Sequence, residues 1–141
     1  MSLYLDASAI VPTLVEEAAS QPLDAFLSAA TDTLVVSDFA AAEVASAISR
    51  LVRMKVLETD QANTLLREFD IWRATATTGM DFQPSDFRLA NIFLRQFDLG
   101  MRAPDALHAA ACRRGDHRLV TLDRRLAEAA EILGLEVDCP I

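Results

Sequence analysis

The hydrophobic and polar positions of the chain alternate between short apolar runs and longer segments with helical spacing. Four short runs rich in Leu, Val and Tyr predict β-strands at residues 2–5, 34–36, 119–122 and 135–137. Seven longer segments predict helices at residues 8–15, 22–30, 39–55, 60–75, 85–97, 104–114 and 124–133. Residues 77–84 are typical of a loop with room for one more strand, and Gly115-Asp116 of a turn. Strands that alternate with helices of this length predict an α/β fold with a mostly parallel sheet and helices on both faces.

Length and composition agree with a single ordered domain over residues 1–141. The chain is 52% hydrophobic and 24% charged, with no low-complexity run and no internal repeat. A chain of this size buries roughly two thirds of its unfolded surface, which is enough for a core without disulfide or metal support. We therefore expect one domain rather than two.

The sequence shows no membrane span, no secretory signal and no cysteine spacing typical of a disulfide framework or a zinc site. No apolar stretch approaches the roughly 20 residues that span a bilayer, and the first 49 residues contain no Lys or Arg, so there is no basic start of a secretory signal. Cys112 and Cys139 stand alone, without a CxxC or Cys/His cluster. We expect a cytoplasmic protein without a membrane, a disulfide framework or a zinc site.

The charges are unevenly distributed along the chain. A net charge of -8 argues against a protein that coats nucleic acid through a general positive field. All thirteen basic residues lie from Arg50 onward and twelve of them are Arg, whereas the seven acids in residues 1–49 have no base near them in the sequence. An acidic chain can still bind phosphates if cations screen its acids and Arg supplies forked donors.

Two acids directly follow predicted strands. Asp6 follows the run Leu-Tyr-Leu, and Asp123 follows Leu-Val-Thr-Leu. Each has a hydroxyl two residues away, Ser8 and Thr121, which can order the carboxylate or a metal-bound water. Ligands of open parallel sheets bind outside the carboxyl ends of the strands, so these positions are candidates for a site.

Two further acids lack a basic partner at helical spacing. Glu43 lies about one turn into the helix after the second strand, among Phe and Ala, and no i,i+4 ion pair is available to it. Asp105 begins the Ala-rich helix after Pro104 and has only His108 three residues on. Both acids need an explanation other than a surface ion pair.

Helix capping offers a competing explanation for three of the four. Asp6 could cap the helix near Ser8, Asp105 could occupy a first turn, and Asp123 could be the N-cap of the segment 124–133. Glu43 has no comparable explanation. The two roles are compatible, because helix N-termini and strand carboxyl ends share one edge of such a sheet.

Four converging carboxylates indicate a hard divalent cation. Such acids repel each other unless a cation neutralises them, and oxygen donors without His or Cys favour Mg²⁺ or Mn²⁺. This cation chemistry fits hydrolysis of a phosphodiester by a metal-activated water. A haloacid-dehalogenase-type phosphatase fits poorly, because it needs a second Asp two residues after the first, where this chain has Ser8. A receiver domain also fits poorly, because it needs a lysine after a late strand and the one lysine, Lys55, lies in a predicted helix. A glycine-rich phosphate loop is also absent.

Four segments in this order resemble the PIN-domain ribonucleases, and among them the VapC-type toxins of toxin-antitoxin pairs. The segments are LYLDASAIV, SDFAAAEVASAI, RAPDALHAAA and LVTLDRRLAEAAEILGLEV. The resemblance implies a three-layer α/β/α fold and an endoribonuclease site that binds Mg²⁺ or Mn²⁺. It further implies an RNA substrate, a cognate antitoxin and a homodimer. The family's acidic positions fall on Asp6, Glu43, Asp105 and Asp123, and its supporting hydroxyls on Ser8 and Thr121.

The resemblance leaves several residues open. Arg124 and Arg125 stand where some members carry a further acid, which leaves a second metal undecided. His108 fits a general base or a packed histidine that orients Asp105 or a backbone carbonyl. Arg102 fits a phosphate contact or an anchor for the acids, and the later arginines fit an RNA track or a solvated surface. The alternative function is a catalytically silent PIN-like module that binds RNA or protein, which divalent metal titration would distinguish.

Overall fold

The computed structural model describes residues 1–141 and contains one sheet of five parallel strands. In chain order the strands are β1 (Leu3–Leu5), β2 (Leu34–Val35), β3 (Thr77–Thr78), β4 (Arg118–Val120) and β5 (Val137–Asp138). Across the sheet the order is β3-β2-β1-β4-β5, so the first strand is central. The predicted α/β class with a parallel sheet is confirmed, and β3 is the additional strand for which residues 77–84 left room.

Seven helices cover the sheet. They are α1 (Val11–Leu14), α2 (Ser20–Ala29), α3 (Asp38–Arg53), α4 (Thr59–Ala76), α5 (Pro84–Leu94), α6 (Ala103–Gly115) and α7 (Arg124–Ile132). Two 3-10 turns, Ala7–Ala9 and Phe97–Leu99, follow β1 and α5. None of these helices has the length and apolar character needed to cross a bilayer.

Several predicted elements have different bounds in the structure. The strand predicted at 119–122 ends at Val120, the helix predicted at 22–30 begins at Ser20, and the helix predicted at 39–55 ends at Arg53. The predicted helix 8–15 is a 3-10 turn followed by α1, because Pro12 lacks an N–H and is accepted only in a first turn. The predicted helix 85–97 ends at Leu94 and continues as the second 3-10 turn. The predicted last strand starts two residues later, because Gly134 and Leu135 end α7 with N–H bonds to Glu131 and Ala130.

The core lies on both faces of the sheet because the side chains of its strands alternate. Leu3 and Leu5 belong to one cluster of buried side chains. Tyr4 points to the other face and belongs to a second cluster, together with Leu119 of the neighbouring β4. All three residues of β1 are buried, as expected for a central parallel strand. A third cluster joins α5 to α6 through Phe93 and small alanines. These layers confirm the three-layer α/β/α architecture.

The strand order places a topological switch point between β1 and β4. The chain leaves β1 to one side for β2 and β3, and later crosses to the other side for β4 and β5. Residues at the carboxyl ends of β1 and β4 therefore border the crevice where ligands of such sheets bind. The N-termini of α3, α6 and α7 lie at the same edge, since each helix runs antiparallel to the strands beside it.

Candidate metal centre

The centre begins where β1 and β4 end side by side. Leu5 pairs with Val120, and the next backbone N–H, that of Asp6, donates to the Val120 carbonyl at 3.3 Å. This register brings Asp6 next to Thr121 across the switch point. Two positions more than 110 residues apart in the chain thus become neighbours.

Asp6 is a buried carboxylate with both oxygens hydrogen-bonded. Its Oδ1 accepts from the Ser8 hydroxyl at 2.6 Å and the Ala9 N–H at 3.2 Å, and its Oδ2 accepts from the Thr121 hydroxyl at 2.8 Å. Asp6 is only 6% exposed, and burial raises its pKa although these donors and His108 act to lower it. The folded protein therefore holds a negative charge here at a cost that a cation would relieve.

Both predicted supporting hydroxyls serve the same acid. Ser8 and Thr121 each donate to Asp6 and lie 3.1 Å from each other. Thr121 contacts Asp123 only by accepting its backbone N–H at 3.1 Å. The expectation that each hydroxyl orders the acid nearest in sequence is therefore correct for Ser8 and wrong for Thr121.

Asp105 and Asp123 are held at helix N-termini, as the capping explanation predicts. The Oδ1 of Asp123 accepts from the N–H groups of Arg125 at 3.0 Å and Leu126 at 3.3 Å. The Oδ2 of Asp105 accepts from the Arg102 N–H at 3.1 Å. Neither acid's second carboxylate oxygen has a hydrogen-bond partner in the protein. Capping and ligand roles can therefore coexist in each residue.

Asp105 feels the neighbouring acid electrostatically. Burial raises its pKa first, and the charge of Asp123 raises it further, against the lowering effects of the Arg102 N–H, of His108 and of the Arg102 charge. None of the four predicted acids forms an ion pair with Lys or Arg. The edge therefore carries mutually repelling carboxylates without a resident protein cation.

Glu43 joins the centre through a histidine. Its side chain is 30% exposed, and its Oε1 lies 2.5 Å from Nε2 of His108, which is itself buried. The other imidazole nitrogen, Nδ1, lies 2.6 Å from the Tyr4 hydroxyl. The interpretation that His108 orients Asp105 or a backbone carbonyl is therefore wrong, because its two hydrogen bonds go to Glu43 and Tyr4.

Sequence patterns missed two residues of this neighbourhood. Tyr4 is the single tyrosine of the chain and its hydroxyl contacts Ser37 as well as His108. Ser37 also caps α3 by accepting the Ala40 N–H. A phenol inside an otherwise apolar strand is a signal in itself, since a buried hydroxyl needs a partner.

Most of the arginines proposed for an RNA track have partners within the fold. Arg113 contacts the Leu133 carbonyl, Arg114 binds Asp86, and Arg118 binds Glu136. The side chains of Arg102, Arg124 and Arg125 are exposed and have no such partner. Arg102 hydrogen-bonds Asp105 only through its backbone N–H, while the charge of its guanidinium acts to lower the pKa of that acid.

The chemical type of the four acids fits a hard divalent cation, but their side chains are not arranged around a common point. No three acidic, imidazole or thiol groups stand around a common point at metal-binding distances. The donors are nevertheless all carboxylates, and Glu43, Asp105 and Asp123 each keep one oxygen without a protein partner.

The raised pKa values predict how the stability of the metal-free protein depends on pH. Asp6 and Asp105 have pKa values in the folded state above their ordinary value of 3.8. The folded state therefore binds more protons than the unfolded state between the ordinary and the raised pKa, and its stability falls as pH rises through that interval. An Asp6→Asn/Asp105→Asn double variant lacks this pH-dependent loss of stability. The difference in free energy of unfolding, variant minus native, should increase from pH 4 toward neutrality in urea titrations with chelator. A difference independent of pH would contradict the assignment.

Comparison with known proteins identifies the family. The model of the PIN domain family matches residues 3–132, so the chain belongs to that family. The protein named Ribonuclease VapC3 from Pyrobaculum aerophilum is 31% identical over 128 residues, covering 91% of this chain and 94% of that protein. The predicted likeness to VapC-type PIN domains is thereby confirmed.

Solved structures share the fold at lower identity. VapBC2 from Rickettsia felis, bound to a DNA fragment from its promoter, has a TM-score of 0.70 at 18% identity and covers 98% of both chains. VapC20 from Mycobacterium tuberculosis, a sarcin-ricin loop cleaving toxin, has a TM-score of 0.72 at 15% identity and covers 90% of this chain and 94% of that one. At these identities the likeness concerns the arrangement of the sheet and helices.

Proposed function

We propose that this protein is a metal-dependent endoribonuclease whose centre is formed by Asp6, Glu43, Asp105 and Asp123. The observation that carries the proposal is electrostatic: burial raises the pKa of Asp6, burial and the charge of Asp123 raise that of Asp105, and none of the four acids forms an ion pair with Lys or Arg. An anionic cluster that the fold leaves uncompensated is suited to a divalent cation. Mg²⁺ or Mn²⁺ is the cation that all-oxygen donors favour.

A bound divalent cation would lower the pKa of an attacking water and neutralise charge on the scissile phosphodiester. The residues of the chain have separate tasks around that chemistry. Asp6, held by Ser8 and Thr121, supplies the most rigid carboxylate, while Asp105 and Asp123 extend free oxygens from helix N-termini. The unpaired guanidinium of Arg102 is our candidate for a contact with RNA phosphate.

The comparisons support the substrate class and the partner. The 31% identical relative is named a ribonuclease, and one structure with the same fold is a toxin that cleaves the sarcin-ricin loop. VapC-type proteins act in toxin-antitoxin pairs, and another similar structure is a VapBC assembly on promoter DNA. We therefore propose RNA as substrate and a cognate antitoxin as partner, and we propose a homodimer on the family resemblance of the sequence alone.

Cleavage of structured RNA by the purified protein tests this proposal. We expect Mg²⁺ or Mn²⁺ to support endonucleolytic cleavage, chelator to stop it, and Asp105→Asn to lower the rate by roughly 100-fold or more, since a lost metal ligand removes several kcal/mol of transition-state stabilisation. Asp70→Asn, an exposed acid on α4, is the matched control and should cleave normally. Full activity of Asp105→Asn, or activity in excess chelator, would refute the proposal.

The catalytically silent module is the second function to test. Retention of all four acids favours the enzyme, since loss of one acid is the usual sign of a silent domain. Calorimetry of the native protein with Mn²⁺ separates the two functions, because the silent module should release or absorb no heat of binding near neutral pH.

A further inference from the structure

Glu43 differs from the other three acids in how its carboxylate is held. Asp6, Asp105 and Asp123 each accept at least one backbone N–H from a helix or turn start. Glu43 lies beyond the first turn of α3, where the backbone N–H groups are already used within the helix. Its one hydrogen-bond partner is His108.

Behind His108 a line of buried hydrogen bonds runs back to the start of α3. Ser37 Oγ and the Tyr4 hydroxyl oxygen are 2.9 Å apart, the Tyr4 hydroxyl oxygen and His108 Nδ1 are 2.6 Å apart, and His108 Nε2 and Glu43 Oε1 are 2.5 Å apart. Ser37, Tyr4 and His108 are at most 2% exposed. The line therefore connects two points of one helix through β1 and α6.

The protons of this line have one consistent direction. Ser37 Oγ already accepts the Ala40 N–H, so its own proton is available to the Tyr4 oxygen. With the Ser37 proton directed at its oxygen, the Tyr4 hydroxyl donates its own proton to its other partner, His108 Nδ1. The imidazole is then the tautomer that carries hydrogen on Nε2 and donates to Glu43.

We propose that His108 is a positioning residue, whose imidazole is fixed by Tyr4 and Ser37 so that its Nε2–H orients the Glu43 carboxylate for the divalent cation. The ring of Phe39, one helical turn before Glu43, packs against His108 with the two ring centroids 5.1 Å apart, and it limits rotation of the imidazole. His108 thus does for Glu43 what backbone N–H groups do for the other acids. The inference rests on the proposed function, because it requires Glu43 to be a metal ligand.

Two single-group variants test the line without removing a large buried side chain. Tyr4→Phe deletes only the hydroxyl, and His108→Phe keeps a ring but deletes both nitrogens. Mutation of a residue that hydrogen-bonds a metal ligand typically lowers metal affinity or activity by about 10–100-fold. We expect about 10-fold weaker Mn²⁺ binding by calorimetry for each variant, with a lower kcat and a nearly unchanged KM for RNA.

His108→Gln is the conservative variant, since its amide N–H can reach the place of Nε2. We expect it to recover most of the Mn²⁺ affinity that His108→Phe loses. His117→Gln is the matched control, because His117 contacts Ser2 and, although its ring stacks on that of Tyr4, it takes no part in the hydrogen bonds of the line. That control should bind Mn²⁺ and cleave RNA as the native protein does.

The imidazole ¹⁵N shifts provide a readout independent of catalysis. With only two histidines in the chain, the His108 signals can be assigned, and they should report hydrogen on Nε2 in the native protein. Tyr4→Phe should shift the tautomer balance toward hydrogen on Nδ1. Thermal melts of each metal-free variant check that it folds, and Tyr4→Phe alone decides the matter if His108→Phe does not fold.

The outcomes separate this inference from the function on which it rests. If Glu43→Gln abolishes Mn²⁺ binding while folded Tyr4→Phe, or folded His108→Phe, binds it like the native protein, His108 is a core residue only and the inference is overturned. If Glu43→Gln itself keeps native Mn²⁺ affinity and full cleavage, the proposed centre is wrong.

Discussion

Asp6→Asn is expected to reduce RNA cleavage by about 1000-fold, the largest effect of any single substitution at the centre. Asp6 is the one acid whose two oxygens are both fixed, by Ser8 and Thr121, at the end of the central strand. Asn keeps the shape but lacks the charge, so a bound cation loses a ligand that the fold cannot replace by rotating another group. A loss of about 4 kcal/mol of transition-state stabilisation corresponds to that factor.

The measurement is the single-turnover cleavage rate at saturating Mn²⁺, with circular dichroism to verify folding. Thr121→Val is the graded companion, since it removes one donor to Asp6 and should lower the rate less than Asp6→Asn. Asp60→Asn, an exposed acid in the first turn of α4, should leave the rate unchanged. An Asp6→Asn protein that cleaves within a few-fold of the native rate would exclude Asp6 from the centre.

Asp86→Ala is expected to be the most destabilising single change outside the apolar core, by about 2–3 kcal/mol. Arg114 donates to both Asp86 oxygens, at 2.7 and 3.0 Å, and the Gln83 N–H donates at 2.8 Å. Burial acts to raise the pKa of Asp86, but these donors prevail and hold it below its usual value. Arg114 is one third exposed, so it can return to water when its partner is removed.

Chemical denaturation measures this effect, and a fall in Tm of roughly 6–12 °C should accompany it. Asp81→Ala is the matched control, since Arg114 contacts only the backbone carbonyl of Asp81 and should keep that bond. Asp86→Asn should fall between the two, because it preserves the α5 cap and loses the charge. Equal stabilities of Asp86→Ala and Asp81→Ala would mean that the ion pair contributes nothing.

The arrangement of elements was predictable because it depends on local patterns. Apolar runs of period two, helical spacing and cap residues are read within a few positions, and they predicted four of the five strands and every long helix. The four acids were also visible, because Asp6 and Asp123 directly follow predicted strands and because Glu43 and Asp105 have no base three or four residues further along their helices. One such reading failed for Asp38, which has no base nearby in the sequence but binds Arg73 of α4 at 2.6 Å.

The side-chain partnerships of the centre were decided by tertiary structure. The sequence placed Thr121 beside Asp123 and His108 beside Asp105, whereas folding directs the Thr121 hydroxyl to Asp6 and the His108 imidazole to Glu43 and Tyr4. These contacts join residues 115, 65 and 104 positions apart. Strand register and helix packing set such distances, and no local period encodes them. Local chemistry therefore specified which carboxylates this protein carries, and the crossing of the chain between β1 and β4 specified which groups orient them.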